Sequence, residues 1–308
     1  VYRGLTVAAV VPAYREENHV GRVVATMPDF VDHIVVVDDC SPDATSDRAR
    51  EVGDPRLTLV RHEVNKGVGG SIVTGHRTAM ELGADVMVVM AGDAQMDPAY
   101  LPALLDPIVD HGYGFTKANR FYSATSFEGM PKLRVFGNIV LTFMTKAASG
   151  YWNLVDPQNG YTAATRESLS RIPLERVAER YDFENDLLVW LNIADVRAKD
   201  VPIPAVYGDE TSTMHLGKVI PRLSATLFQG FWRRMWRKYV LWSFSPVALL
   251  LFSGLFLLAL SVVPGVYAVW SALHGSSPTS GTVLLAVTPF LCGFWMIVQA
   301  LVLDINAT

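Results

Sequence analysis

The chain has 308 residues, half of them hydrophobic and only 18% charged, with a formal net charge of −4 at pH 7. Soluble proteins carry about 25% charged residues, and the deficit here is concentrated in residues 244–308, so a soluble part precedes a membrane part. No basic field is present to attract nucleic acid. With two cysteines, Cys40 and Cys292, a disulfide scaffold and a cysteine zinc site are both excluded, which fits a reducing compartment.

Thr6–Val11 reads as a buried strand; it is too short for the apolar region of a signal peptide and ends at Pro12. Glu17–Met27 follows with Val20, Val23, Val24 and Met27 at helical spacing. His33–Val37 is a second strand running into Asp38 and Asp39, and Ala44–Val52 is a short helix stopped by Gly53. Leu57–Val60 is a third strand, Ser71–Leu82 a helix closed by Gly83, and Val86–Met90 a fourth strand. This alternation predicts an α/β domain with a mostly parallel sheet, whose ligands bind beyond the carboxyl ends of the strands. Further on, Phe115–Arg120 reads as extended, Lys132–Ala148 and Glu184–Ile193 as helical, and Val196–Val206 as extended.

From residue 218 the character changes. At 100° per residue Phe228, Phe231, Trp232, Met235, Tyr239 and Trp242 share one helix face, and Arg233, Arg234, Arg237 and Lys238 the other. Aromatics opposite a basic face predict a helix lying in a membrane interface. Phe244–Trp270 and Thr282–Leu303 contain no Asp, Glu, Lys or Arg, and each is long enough to cross a hydrocarbon core. Three parts result: residues 1–217, a juxtamembrane helix over 218–243, and two transmembrane helices over 244–308. The basic cluster before the first span predicts a cytoplasmic soluble domain.

Candidate chemistry gathers after the strands. Asp38 and Asp39 end a strand, where carboxylates can accept hydrogen bonds from a base or ribose. Asp93 and Gln95, in Ala91–Pro98, offer hard oxygen ligands of the kind Mg²⁺ or Mn²⁺ takes while bridging phosphates. Asp97 before Pro98 reads instead as a helix cap. Asn65–Gly70 precedes a helix, and its glycines, Gly67 with Lys66 beside it among them, suit a backbone approach to phosphate.

Together these residues resemble glycosyltransferase family 2, with its Rossmann-like GT-A fold, and within it the polyprenyl-phosphate branch of the dolichyl-phosphate mannose and glucose synthases. The resemblance is carried by Val11–Tyr14 with Glu16 and Glu17, Val37–Thr45, Asn65–Gly70, Met90–Pro98, Lys117–Phe121, Arg134 with Gly137 and Asn138, Asp156–Tyr161 and Phe183–Asp186. It implies that Pro12, Tyr14, Glu16 and Asp39 hold the nucleoside and that Asp93 with Gln95 holds Mg²⁺ or Mn²⁺. Arg120 and Arg134 would face the acceptor phosphate. The implied reaction is a metal-dependent, inverting single displacement, carrying a hexose from a nucleotide-diphosphate sugar to a polyprenyl phosphate at the lipid bilayer. A homo-oligomer is compatible with this reading. One departure is Ala91, which occupies the first aspartate of the family's Asp-x-Asp. Asp186 would be the base for a hydroxyl acceptor; for a phosphate acceptor it and Glu184 would position groups near the sugar. Acids opening the helix that follows are the plainer explanation of both. The alternatives are a processive polysaccharide synthase, for which two spans are too few, and a scaffold of the same fold that has lost its metal site.

Overall fold

The computed structural model describes residues 1–120, 132–156, 158–204 and 216–307. The chain divides into two compact units, Val1–Phe231 and Trp232–Thr308.

The first unit is built on a seven-stranded sheet of order β3-β2-β1-β4-β6-β5-β7. Its strands are β1 (Val7–Ala13), β2 (His33–Asp38), β3 (Leu57–Arg61), β4 (Val86–Val89), β5 (Phe115–Asn119), β6 (Thr162–Thr165) and β7 (Ala198–Pro202). β1 pairs in parallel with β2 and β4, β2 with β3, and β5 with β7, whereas β6 runs antiparallel to both β4 and β5. Six strands therefore end at one edge of the sheet, and the loop entering β6 opens at that same edge. Every residue of β1 is buried, as expected of a strand covered on both faces. Alternate residues feed two cores: Val10, Val35, Val37 and Met87 on one face, Val11, Ile34, Val36 and Val88 on the other.

The helices of this unit are α1 (Val20–Ala25), α2 (Thr45–Glu51), α3 (Val68–Glu81), α4 (Leu101–His111), α5 (Lys132–Ser149), α6 (Arg166–Ser170) and α7 (Phe183–Ile193), and α8 (Leu216–Arg234) leaves it. α3 crosses β1 so closely that a Cβ on Gly75 would lie 2.2 Å from Val10 Cγ1. α4 and β6 have no counterpart among the elements read from the sequence. α4 carries Pro102 and Pro107, and Thr-Ala-Ala-Thr is too short for any periodicity.

In the second unit a π-helical segment, Met235–Trp242, follows α8 and precedes α9 (Pro246–Leu273) and α10 (Ser280–Asn306). α9 and α10 are long and apolar enough to cross a membrane. They form a hairpin whose helices touch backbone to backbone. A Cβ on Gly254 would lie 2.8 Å from Gly293 O, and one on Gly293 would lie 2.7 Å from Gly254 O. α9 continues through Pro264 rather than ending there.

The face expected around the juxtamembrane segment needs correction. Arg234, assigned to a solvated basic face, is fully buried. Its guanidinium donates to both oxygens of Asp304 at the end of α10, at 2.5 and 2.9 Å, and the Tyr239 hydroxyl donates to the same carboxylate at 2.5 Å. Hydrogen bonding to the fifth residue widens the turn from Met235 onward. Of the aromatic face expected there, Met235 and Tyr239 are buried while Phe228 and Trp242 are exposed.

Two outcomes follow. Asp304→Asn leaves Arg234 buried opposite no charge, which should cost about 3–5 kcal/mol. Paired with Arg234→Met it should cost much less. Unfolding of the detergent-solubilised protein measures both, and an unchanged midpoint for Asp304→Asn would show the pair to be idle. His76 in α3 is buried, its Nδ1 without a partner, and burial pushes its pKa down to about 4. Its contribution is therefore present above pH 6.5 and lost as pH falls through 4. On the order of 3 kcal/mol should disappear over that interval. His76→Leu should flatten the slope of stability between pH 6.5 and 4; an unaltered slope would refute the assignment.

Candidate active site

A cavity of about 440 Å³ opens at the carboxyl edge of the sheet, within the range of small-ligand sites. β1 delivers Pro12, Ala13, Tyr14 and Glu16; the end of β2 delivers Asp39; the start of α3 delivers Gly67, Val68 and Ser71; the loop after β4 delivers Ala91, Gly92 and Asp93. Of the residues expected to hold the donor, Pro12, Tyr14, Glu16, Asp39, Gly67 and Asp93 are thus brought together. Asp38, Lys66 and Gln95 are not part of the lining.

The two aspartates of β2 have separate tasks. Asp38 is wholly buried, accepting from the Ser41 N–H at 2.8 Å and from the Ser46 hydroxyl. It fastens the turn into α2 instead of facing the cleft. Asp39, 3% exposed, accepts from the N–H groups of Lys66 (2.8 Å) and Gly67 (2.7 Å), and its Oδ1 lies 2.7 Å from His62 Nδ1. It borders the cleft while holding the loop into α3.

The glycines of that loop serve close packing. Gly67 has φ +88°, and a Cβ there would lie 2.7 Å from Glu179 O. One on Gly69 would lie 2.6 Å from Ala178 O, and the Gly70 N–H donates to Glu179 O at 3.0 Å. The segment Ala178–Phe183 therefore lies against the start of α3, and from it Arg180 and Tyr181 complete the cleft wall. Neither stood out in the sequence; a cation just before a helix carries no distinguishing local signal.

Asp93 is half-buried, with Oδ1 accepting from the Gln95 N–H at 3.0 Å. Asp97 caps the turn that follows, accepting from Ala99 N–H at 2.9 Å. Among the described residues no three acidic, histidine or cysteine side chains gather as a ready-made metal cage. Magnesium, however, is commonly held by one or two carboxylates plus substrate phosphates. The cleft offers that donor set: Asp93 with Glu16 nearby on the lining, and three carboxylates against one guanidinium. An anionic ligand entering such a lining needs an added cation, so the residues fit a divalent metal.

A second cluster lies at the same edge, where β5 ends. Asp156, fully buried, holds Arg120 through two side-chain bonds at 2.7 and 3.0 Å and also accepts from the Arg120 N–H at 3.1 Å. Lys117 is buried, donating to Asn159 O, and burial lowers its pKa. Burial raises Glu184, and pushes Asp200, beside Lys117 in the β5–β7 register, up to about 6. A Cβ on Gly160 would meet Met96 Cε at 3.5 Å and Glu184 Oε1 at 3.9 Å. Met96, from the loop carrying Asp93, thus lies beside Gly160, as does Glu184. Asp186 is buried and accepts from the Ala178 N–H at 3.0 Å, so it anchors the Arg180 segment. Arg134 falls in the first turn of α5; its side chain, like Phe121 and Pro157, lies outside the described residues.

Comparison with known proteins agrees with this geometry. The chain is 29% identical over 64% of its length to the UDP-N-acetylglucosamine--dolichyl-phosphate N-acetylglucosaminyltransferase of Methanococcus voltae, covering 84% of that protein. It is 32% identical over 58% of its length to the polyprenol monophosphomannose synthase of Mycolicibacterium smegmatis, covering 69% of it. Among solved structures it resembles glucosyl-3-phosphoglycerate synthase from Mycobacterium tuberculosis in complex with Mn²⁺, UDP and phosphoglyceric acid. The TM-score is 0.58 at 22% identity, over 74% of this chain and 79% of that one, a likeness of GT-A fold. The Glycosyl transferase family 2 profile matches residues 8–172, over half the chain, and the protein belongs to that family of glycosyltransferases.

Proposed function

We propose that the chain transfers a hexose from a nucleotide-diphosphate sugar, of the GDP-mannose or UDP-glucose type, to a polyprenyl phosphate. The observation that carries this reading is the cleft itself, a nucleotide-sized space at the carboxyl edge of a parallel sheet with Asp93 at its rim. The named substrates of the relatives support it: dolichyl phosphate in one, undecaprenyl phosphate in that of Micrococcus luteus. So does the apolar hairpin, which would tether the domain to the bilayer where such an acceptor resides. The soluble domain would be cytoplasmic, held there by Arg233, Arg237 and Lys238.

The chemistry asks for little proton transfer. A phosphate monoester has a second pKa near 6, so its oxygen is already anionic at neutral pH. That oxygen bonds to the sugar's anomeric carbon as the bond from that carbon to the donor's β-phosphate oxygen breaks. The electron pair leaves with the nucleoside diphosphate and the configuration inverts. Arg120, oriented by Asp156 through Nε and Nη2, would present its positive charge to the acceptor phosphate, with Arg134 as its expected partner. Asp93, with Gln95 in the same turn, would hold Mg²⁺ or Mn²⁺, which supplies charge stabilisation for the departing diphosphate. Asp186 is already occupied by Ala178 and is not needed as a base.

Asp93→Asn should lower transfer by about two orders of magnitude or more, and a chelator should do the same to the wild type. Asp97→Asn, which still caps, should retain most activity. Near-normal turnover of Asp93→Asn would end the metal assignment. For the acceptor, Arg120→Ala and Arg134→Ala should raise the KM for polyprenyl phosphate about tenfold or more while the donor KM changes little. Asp186→Asn should stay active. Equal use of free polyprenol by the wild type, with Asp186→Asn dead, would establish a hydroxyl acceptor instead.

A further inference from the structure

The donor cleft has an electrostatic imbalance. Glu16, Asp39 and Asp93 border it, and among the described residues Arg180 is the single cation on its lining. The backbone donors expected to receive phosphate are partly taken, since Gly70 N–H binds Glu179 O and Ser71 N–H binds Gly67 O. One divalent ion bound at Asp93 would still leave the three carboxylates one charge in excess, so an entering diphosphate finds its fixed protein counter-charge on that lining in Arg180.

Arg180 is built into this wall. Glu179 O is tied to Gly70 N–H at 3.0 Å, Ala178 N–H to Asp186 at 3.0 Å, and Phe183 N–H to Arg180 O at 2.9 Å. Asp182, two residues on, accepts from Thr226 at 2.9 Å. The backbone on both sides of Arg180 is thus fixed, while its side chain is exposed and forms no ion pair among the described residues. Gly67 and Gly69 lack the Cβ that would push this segment away. An exposed guanidinium with no ion pair among the described residues, on a backbone hydrogen-bonded to either side, at the rim of an acid-lined cleft is arranged to receive an anion.

We propose that Arg180 binds the diphosphate of the nucleotide donor and steadies it as it leaves, with Asp186 acting as a positioning residue through Ala178. This rests on the donor reading above and names a residue that neither the family resemblance nor the metal assignment requires. The tyrosine beside it, Tyr181, is 58% exposed on the same lining as Tyr14 and needs no part in the charge argument.

The test uses the full chain in detergent, with magnesium, titrated calorimetrically with UDP, UMP, GDP and GMP. The wild type should bind one diphosphate, and bind it more tightly than the matching monophosphate. Arg180→Ala should weaken the diphosphate about tenfold or more and the monophosphate much less, with Arg180→Lys recovering part of the loss. Because the side chain is exposed, the unfolding midpoint should not move. In turnover the donor KM should rise and kcat fall while the KM for polyprenyl phosphate holds. Asp186→Ala, which removes the acceptor of the Ala178 N–H, should shift the diphosphate affinity in the same direction. Diphosphate binding by Arg180→Ala within twofold of an active wild type would overturn the proposal and leave the donor reading standing. Equal weakening of mono- and diphosphate would also overturn it. A wild type that binds neither diphosphate would remove the donor reading and this proposal together.

Discussion

The catalytic unit depends on one buried carboxylate. Asp39 ends β2 with almost no exposure, and its oxygens hold two successive amides of the loop into α3 as well as lying against His62. A carboxyl group so buried is tolerable only with several hydrogen bonds, and the loop supplies them. With the loop so held, Gly67 takes its left-handed conformation and α3 begins where the Ala178–Phe183 segment can lie against it. Loss of Asp39 would release the loop and, with it, the wall that bears Arg180. A residue that borders the cleft is therefore also the one that shapes it.

Charge is distributed in two steps from the cleft inward. The lining is acidic, suited to a metal and hostile to a bare diphosphate. Behind it, Lys117, Arg120, Asp156, Glu184 and Asp200 crowd together at the end of β5. Burial shifts Lys117 downward and Glu184 and Asp200 upward, each toward its neutral form. Asp156 is instead matched by the Arg120 fork. The Arg120 guanidinium is thereby held in one orientation at the end of β5.

Much of this was legible in the sequence because its physical signals are local. Buried parallel strands are continuous apolar runs, and β1, β2 and β4 read as such; helix stops at Gly53 and Gly83 were plain. The motifs placed Pro12, Tyr14, Asp39 and Asp93 at strand ends, and the fold brings them to one cleft. What was not legible depends on partners far along the chain. β6 is four residues whose identity as a strand comes only from the neighbours on both sides. Asp38 and Asp39 are adjacent and chemically identical, yet one is buried beneath a turn and the other borders the cleft. The Asn65–Gly70 glycines suggested a phosphate cradle; their close contacts are with residues more than a hundred positions later. Arg180 has its meaning from that contact, and Arg234 from Asp304 seventy residues on.

The membrane unit obeys a separate constraint, and Asp304 discloses it. Hydrocarbon tolerates only structures whose backbone groups bond internally, so α9 and α10 must each span about 30 Å if they cross at all. Arg234 precedes the first apolar helix and Asp304 ends the second, and a two-point ion pair with Tyr239 on the same carboxylate joins them. Such a pair cannot form across a bilayer. If α9 and α10 cross a membrane, the pair therefore requires the chain to return to the face it left, with both ends of the hairpin on one side. The far end is marked independently: Tyr267, Trp270 and His274 stack in sequence near the turn, where aromatic rings favour an interface. Gly254 and Gly293 then set how closely the two helices approach between these ends.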